Sequence, residues 1–418
     1  MKYQAPRGTH DILPNEAVVW RDLEGYFRHV VGLYGYGEVR TPAFEDTELF
    51  KRTSGETSDI VTKQMYEFTD KGGRSITLKA EGTAPAVRAY LEHGLGGQGQ
   101  TTRLWYQTPV FRYERPQKGR YRQHHQFGIE CLGSASPQAD AEVIEVAYRF
   151  LNMIGISDVK VSVNSIGREA TRSSYRQAVL SHAAGYLADL EADERARAEK
   201  NPLRLLDSKD PKAIEVMKAA PSILDYLEDE SRMRFDTLCG ILADIDIPFE
   251  VRPEIVRGLD YYTDTVFEVL SDQLGAQSAL CGGGRYDGLV RALGGPDTPA
   301  VGFGMGIERL ALVLESLRFN SGESIQAYVV AATESARSEV SRICRLLRSK
   351  DVSAQCDVDG KDLRRQMKQA DAMKAEAAVI IGDDELASGN ATVRYLESGD
   401  QRAVPFSELA SHIGRLYD

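Results

Sequence analysis

The sequence predicts an α+β chain in two parts, and three observations predict it. Over residues 1–317, strand patterns come in pairs and are interrupted by one long, strongly charged helical stretch. At 318–325 the segment RFNSGESI is polar and carries Gly and Ser, the composition of a linker. Beyond it, over 326–418, short apolar strands alternate with helices, which predicts a small α/β domain with a mostly parallel sheet. A chain of 418 residues has room for two or three domains and a sizeable core. Its 42% hydrophobic and 27% charged residues exclude a disordered or collagen-like protein.

The elements follow in order. Val18, Leu23, Phe27, Val30 and Val31 recur at helical spacing over 17–34. EVRTPAF then reads as extended, with Pro42 suited to a strand end or edge. SITLK, 75–79, predicts a strand, and EGTAPAVRAYLEH a helix with Thr83 as N-cap and Pro85 in its first turn. Residues 104–113 and 122–132 predict two strands joined by the polar, basic connection ERPQKGRY. A helix over 139–154 and a strand over 158–164 come next. From about Arg168 to Asp246 the pattern is helical, an insertion between two sheet regions. Strands are expected at 249–256 and 264–270, a Gly-rich turn at 281–289, and a strand running into an apolar helix over 300–317. In the last part, strands at 327–332, 353–358 and 377–382 alternate with helices at 335–350 and 362–375, and a hairpin and a final helix end the chain.

Composition excludes several classes of function. Lys and Arg total 51 against 62 Asp and Glu, a formal net charge of −11, so the chain is not a globally basic nucleic-acid binder. Any polyanion contact must use local patches. The clearest is 112–122, where Arg112, Arg115, Lys118, Arg120 and Arg122 face one acid, Glu114. On charge alone that run reads first as a solvated loop. No uncharged apolar stretch approaches the roughly 18 residues of a membrane span. The opening MKYQAPRGTHDILPNE has no apolar run after its basic residue, so no secretory signal is expected. Cys131, Cys239, Cys281, Cys344 and Cys356 are odd in number and scattered, which suits a reducing cytoplasm and predicts neither a disulfide framework nor a structural metal site. There is no GxxxxGK[ST], and GFGMG at 302–306 is followed by Ile307, so neither phosphate-loop motif is present. His124 and His125 are adjacent, so on a strand they point to opposite faces and cannot hold one ion together.

What remains is a set of charged side chains on strands. In VFRYER, Arg112 and Glu114 share one face. In HQFGIECLG, Gln126, Gly128 and Glu130 share another. Two neighbouring strands could present Arg112, Glu114, Gln126 and Glu130 to one cleft, although the same spacing also describes a solvent-facing sheet surface. RGLDYYTDTVFEV, 257–269, sets Arg257, Asp260, Tyr261 and Tyr262 beside an apolar strand, an arrangement equally suited to a salt-bridged turn. In GIERL, 306–310, Arg309 opens a helix, where it suits a phosphate contact or a plain exposed helix arginine.

Together these segments resemble the histidine–tRNA ligases, a family of class II aminoacyl-tRNA synthetases. FRYERPQKGRYRQHHQFGIECLG, 111–133, resembles the second class II motif and AVGFGMGIERL the third. RGLDYYTDTVFEV and CGGGRYDGLV resemble two segments peculiar to the histidine enzymes. PRGTHDILP, EGTAPAVRAYLEH, NPLRLLDSK and the last domain fit as well, so the resemblance covers essentially the whole chain. Three positions depart from the usual pattern: Lys79 and Ala80 stand where Arg-Pro is usual, and His124 where an aromatic is more usual.

The resemblance implies an antiparallel six- or seven-stranded catalytic sheet with flanking helices and a helical insertion, a C-terminal α/β domain that reads the anticodon, and a homodimer. It implies a two-step reaction in which histidine and ATP, with Mg2+, give histidyl-adenylate before transfer to tRNA. Arg112 and Arg257 would serve the α-phosphate and also belong to the histidine site, Arg257 beside the substrate carboxylate, with Glu114 on the adenine side and Arg309 at the γ-phosphate end. Glu81, Thr83 and Gln126 would hold the amino group of histidine. Glu130 and Tyr262 would bond its imidazole, with Tyr261 and Tyr286 shaping the pocket. The basic loop 115–122 would approach the tRNA acceptor end, and Lys361, Arg364, Arg365, Lys368 and Lys374 the anticodon stem. A histidine-sensing regulatory relative without catalysis is the alternative, and it is expected to lack the anticodon domain.

Overall fold

The computed structural model describes residues 3–414 except 56, 57, 59, 98, 99, 118, 207, 209, 256–260, 274–278 and 317–324. The chain divides into two units, Met1–Asn320 and Ser321–Asp418. Among the described residues no helix is long and apolar enough to cross a membrane, and the five cysteines are free thiols.

The first unit opens with α1 (Pro14–Leu33), which has Pro14 and Glu16 in its first turn, as a helix start favours. Strands β1 (Gly37–Glu38), β2 (Phe44–Asp46), β3 (Tyr66–Thr69) and β4 (Ser75–Leu78) follow, with α2 (Thr47–Ser54) between β2 and β3. Next come α3 (Thr83–Glu92), β5 (Thr102–Phe111), β6 (Gln123–Leu132), α4 (Pro137–Met153) and β7 (Lys160–Ser165). Helices α5 (Glu169–His182), α6 (Ala184–Ala188), α7 (Ala192–Lys200), α8 (Pro211–Met217) and α9 (Asp229–Asp244) occupy the stretch read as an insertion. The unit closes with β8 (Phe249–Val251), β9 (Thr263–Leu270), β10 (Ala279–Arg285), α10 (Leu289–Ala292), β11 (Ala300–Gly306) and α11 (Ile307–Ser316).

Eight of the described strands form one sheet in the order β1-β5-β6-β11-β10-β9-β7-β8. The six central strands pair antiparallel, whereas β1 joins β5 and β8 joins β7 in parallel. The expected count of six or seven therefore misses the short edge strands. A separate sheet, β2-β4-β3, is antiparallel. One face of the large sheet is buried under α1, α4, α9 and α11. Phe27 of α1 stacks on Phe127 of β6 at 4.3 Å and meets Phe150 of α4 edge-on at 5.1 Å. Each such ring contributes about 1.5–3 kcal/mol by burial alone. Helix α9 lies in the stretch read as an insertion, yet Phe235, Leu238 and Leu242 join this core.

Two expectations fail locally. The Gly-rich stretch at 281–289 turns only at Asp287 and Gly288: Gly282, Gly283 and Gly284 lie on β10, paired with β9 on one side and β11 on the other. A methyl at Gly283 would strike the Gly302 carbonyl, and one at Gly284 the Thr265 carbonyl at 2.5 Å, so these glycines mark close approach of strands. The strand expected at 249–256 stops at Val251.

The second unit holds β12 (Ala327–Ala331), α12 (Arg337–Arg348), β13 (Ala354–Cys356), α13 (Leu363–Ala372), β14 (Ala377–Ile381), α14 (Asp383–Ser388), β15 (Asn390–Tyr395), β16 (Gln401–Pro405) and α15 (Leu409–Gly414). Its sheet runs β13-β12-β14-β15-β16. The first three strands are parallel and the last two pair antiparallel, so the sheet is half parallel rather than mostly so. Val340, Ile343, Cys344 and Leu347 of α12 give it a 3–4 spaced apolar stripe against the sheet.

Candidate active site

The face of the large sheet opposite its core carries the polar cleft. On β6 the odd-numbered Phe127, Ile129 and Cys131 enter the core, which leaves Gln126, Gly128 and Glu130 on the cleft side. Across the strand pair Tyr106 of β5 opposes Gly128. A methyl at Gly128 would run into the Tyr106 ring, so the glycine is what lets this ring lie over β6. The Tyr106 hydroxyl donates to Glu130 Oε1 at 2.9 Å, and the Tyr286 hydroxyl donates to Oε2. On β11, a methyl at Gly302 would collide with the Glu130 carboxylate, and one at Gly304 with the Gln126 amide. Glu130 is fully buried, and burial pushes its carboxyl up to about 8 despite its hydroxyl partners.

The start of α3 forms a wall of the cleft. Glu81 accepts from the N–H groups of Thr83 at 2.6 Å and Ala84 at 2.7 Å. The carboxylate therefore satisfies the helix start, and Thr83, expected as N-cap, is instead the first helical residue. Its hydroxyl stays available to Glu81, Glu130, Tyr106 and Tyr261. Burial also raises the Glu81 carboxyl, against its bonds to Ala84 and Thr83 and the charge of Arg112. Gln126 Oε1 accepts from the Gly82 N–H at 3.2 Å. Arg112 is anchored through Nε to the Ala80 carbonyl at 2.7 Å.

Three tyrosines complete the enclosed end. The Tyr261 ring stands 5.7 Å from Tyr286 and 4.7 Å from Tyr262. Tyr286, expected only to shape the pocket, bonds Glu130 directly. Tyr262 lies one ring further back, buried with Ile255 and Val266. Tyr106 was missed by sequence reasoning. The available signal was Gly128 between two polar residues of one strand face, which leaves space for a ring from the neighbouring strand. Arg257 and Lys118 lie outside the described residues.

At the rim, β5 ends at Phe111, so the alternation that put Arg112 and Glu114 on one face lapses. Arg112 turns to Ala80, whereas Glu114 meets Arg120 across the loop at 3.4 Å. Arg122 lies over the Tyr113 ring at 3.9 Å. The loop turns at Gly119, φ +74°, where an added methyl would press on Leu312 and Arg309 of α11. Arg309 donates to the Ala279 carbonyl, and burial lowers its pKa, with Arg120 adding to the effect. Arg115 and Arg120 are exposed. In the second unit, Arg364 and Arg365 are exposed on α13, with Arg365 3.7 Å from Asp362.

Comparison with known proteins follows the same division. Residues 8–310 match the family model for histidyl-tRNA synthetase, and residues 326–416 the one for an anticodon binding domain. A histidine–tRNA ligase of Synechococcus elongatus is 47% identical over 97% of this chain and 93% of its own length. One of Geobacillus thermodenitrificans is 46% identical over 99% and 98%. The crystal structure of apo histidyl-tRNA synthetase from S. aureus superposes with a TM-score of 0.83 at 35% identity, covering 98% of this chain and 99% of that one. A second, from a Nostoc species, shares the fold at 23% identity with a TM-score of 0.73, covering 100% of both chains. Similarity of this extent, in sequence and in fold, makes the chain a member of the histidyl-tRNA synthetase family.

Proposed function

We propose that this chain attaches histidine to its tRNA in two steps. First the carboxylate of histidine attacks the α-phosphorus of ATP, supplied with Mg2+, and pyrophosphate leaves. Then a hydroxyl of the terminal tRNA ribose attacks the acyl carbon of histidyl-adenylate, and AMP leaves. Neither step needs a covalent bond to the protein, so the work is positioning and charge stabilisation. The observation that carries the reading is the buried carboxyl of Glu130, held by two tyrosine hydroxyls in a cleft that also gathers Glu81, Gln126 and Arg112. A carboxyl that titrates near 8 is within about two units of an imidazole, so the two can share a proton in the pocket. An amino acid lacking ring nitrogens gives the buried carboxyl no partner for that proton, so it forgoes the hydrogen bond that histidine gains, about 0.5–1.5 kcal/mol.

In this reading Glu130, Tyr286, Tyr261 and Tyr262 enclose the ring, while Glu81, Thr83 and Gln126 take the amino group. Arg112, Arg257 and Arg309 serve the phosphates and Glu114 the adenine side. Arg115, Lys118, Arg120 and Arg122 approach the acceptor end, and Arg364 and Arg365 the anticodon stem. The domains are a catalytic part over 1–317 with a helical insertion near 168–246, a linker at 318–325 and an anticodon-reading part over 326–418. A homodimer is supported by the small β2-β4-β3 sheet, whose one face sets half-exposed Phe44 and Phe68 beside Ile76 and Leu78. The chain works where uncharged tRNA and ATP are found, in the cytoplasm. The regulatory alternative expects no anticodon domain, and the match at 326–416 speaks against it.

The test is histidine-dependent exchange of labelled pyrophosphate into ATP, with the other amino acids as controls. Exchange with histidine alone is expected. A folded chain that binds histidine without exchange would return the regulatory reading.

A further inference from the structure

Tyr262 is held in place from the side of the helical insertion. Its ring packs with Tyr175 and Val179 of α5, Ile223 and Val266, in an apolar cluster separate from the core of the large sheet. Toward the sheet the ring lies against Gly284 of β10, where an added methyl would stand 2.9 Å from it. The Tyr262 carbonyl accepts a hydrogen bond from one terminal nitrogen of Arg172, in the first turn of α5, at 2.5 Å. The other terminal nitrogen of that fork donates to Glu169 at 2.9 Å, and Glu169 also takes Arg176 at 3.0 Å. A planar guanidinium bound at both ends has little freedom left, so the carbonyl it meets is fixed in place.

The root of α5 is itself fastened to β9. The Ile166 N–H donates to the Asp264 carbonyl at 2.8 Å, and the Asp264 N–H to the Gly167 carbonyl at 3.0 Å. The buried Asp264 carboxylate accepts from Ser231 of α9 and lies 3.5 Å from Arg168 and 3.8 Å from Arg234. Asp264 is left-handed, φ +49°, a conformation that Asp tolerates better than most residues. The chain therefore bends where β9 begins, and Tyr262 stands just before the bend. The next residue back, Tyr261, has its ring 4.7 Å from that of Tyr262 and faces Thr83, Glu81 and Glu130.

We propose that Arg172 is a positioning residue of the histidine pocket: by holding the Tyr262 carbonyl it sets where the Tyr261 ring stands against Glu81, Thr83 and Glu130. The inference rests on the proposed function and deepens it, because it makes the helical insertion a working part of amino-acid binding. Arg172 touches no substrate in this role. It acts through the main chain that joins the two tyrosines. Its loss therefore weakens histidine binding and spares ATP, whose proposed contacts lie at Arg112, Glu114 and Arg309. A residue that only stabilised α5 would show no such split between the two substrates. Arg176 is the natural control, since it sits on the same helix and shares Glu169 but has no printed bond to Tyr262.

The experiment uses the full-length chain and its Arg172→Ala, Arg172→Lys, Arg176→Ala and Tyr261→Phe variants, with the double variant Arg172→Ala, Tyr261→Phe. Each is checked for folding by circular dichroism. Calorimetry gives the Kd for histidine, and pyrophosphate exchange gives KM for histidine and for ATP. Arg172→Ala is expected to weaken histidine binding about ten- to a hundredfold, the size of one hydrogen bond from a charged donor, and to leave KM for ATP within about twofold. Arg172→Lys keeps the charge without the fork, and should lose only about three- to tenfold. Should the alanine variant not fold, the lysine variant carries the same comparison. Arg176→Ala should bind histidine as the wild type does. On the Tyr261→Phe background Arg172→Ala should cost less than it does alone, because the hydroxyl it places is gone. Equal losses for histidine and ATP, additive effects in the double variant, or the same loss from Arg176→Ala overturns the inference. A wild type that binds histidine without exchange would instead strike the two-step reading and leave the role of Arg172 in binding to be decided by the calorimetry.

Discussion

At the scale of single residues, the proposed role of Glu130 ties function to stability. Its carboxyl titrates near 8 in the folded chain and in the ordinary carboxylate range when unfolded. Between those two values the folded form holds a proton that the unfolded form has lost. Stability therefore falls as pH rises through that window, and levels off above about 8. Glu130→Gln removes the ionisation while keeping the shape. It should raise the melting temperature at pH 8 more than at pH 5, and raise KM for histidine at least tenfold; equal shifts in Tm at the two pH values would contradict the assignment. Arg112 is held by a bond from Nε to the Ala80 carbonyl, and among the described residues no side-chain hydrogen bond takes the other two nitrogens of its fork, which suits an anion. Arg112→Ala should lower kcat for adenylate formation by about 10²–10³-fold, a loss typical of removing one charge-stabilising donor. Rapid-quench measurement of adenylate formation checks this, and a fall confined to the tRNA-transfer step would count against it.

Elements set the site by their thinness and their clamps. Strands β6, β10 and β11 carry glycines where a side chain would collide with Tyr106, Tyr262, Glu130 or Gln126. Gly304→Ala should displace the Gln126 amide, cost about 1–3 kcal/mol of stability by overpacking, and raise KM for histidine more than KM for ATP. Parallel titration of the two substrates checks the asymmetry. The end of β10 is tied to α4 by Arg285, which donates to Asp140 at 2.6 Å and 3.1 Å, with both side chains almost wholly buried. Arg285→Met leaves the Asp140 carboxylate buried without its ion partner. It should destabilise the chain by about 3–5 kcal/mol in denaturant unfolding. The double change with Asp140→Leu should recover much of that loss, because the uncompensated charge is then gone.

For the whole molecule, an excess of acid over base, −11 in net charge, coexists with local basic patches such as the exposed Arg115 and Arg120 of the rim and Arg364 and Arg365 of α13. Binding of tRNA through such patches should weaken steeply with salt, since each neutralised phosphate releases counterions. Removing residues 326–418 should depress tRNA charging far more than pyrophosphate exchange. Equal losses in both assays would give that part a structural role in the catalytic chemistry.

Much of this was legible in the residues themselves. Period-two alternation on 122–132 put Gln126 and Glu130 on one side, and helical spacing placed α1 with Leu23 and Phe27 inward, because local geometry dictates both. The class of chemistry followed from motif residues whose order in the chain is enough to identify them. Tertiary structure alone decided the rest. The glycines of β10 read as a turn because a single chain cannot show that a neighbouring strand leaves no room for side chains. Glu81 took the helix start from Thr83 because the fold brings its carboxylate onto the Thr83 and Ala84 N–H groups. Arg112 and Glu114 parted because β5 ends at Phe111, where the return strand stops pairing. Tyr106 entered the site through Gly128 of the strand across from it, a contact that exists only after the two strands have met.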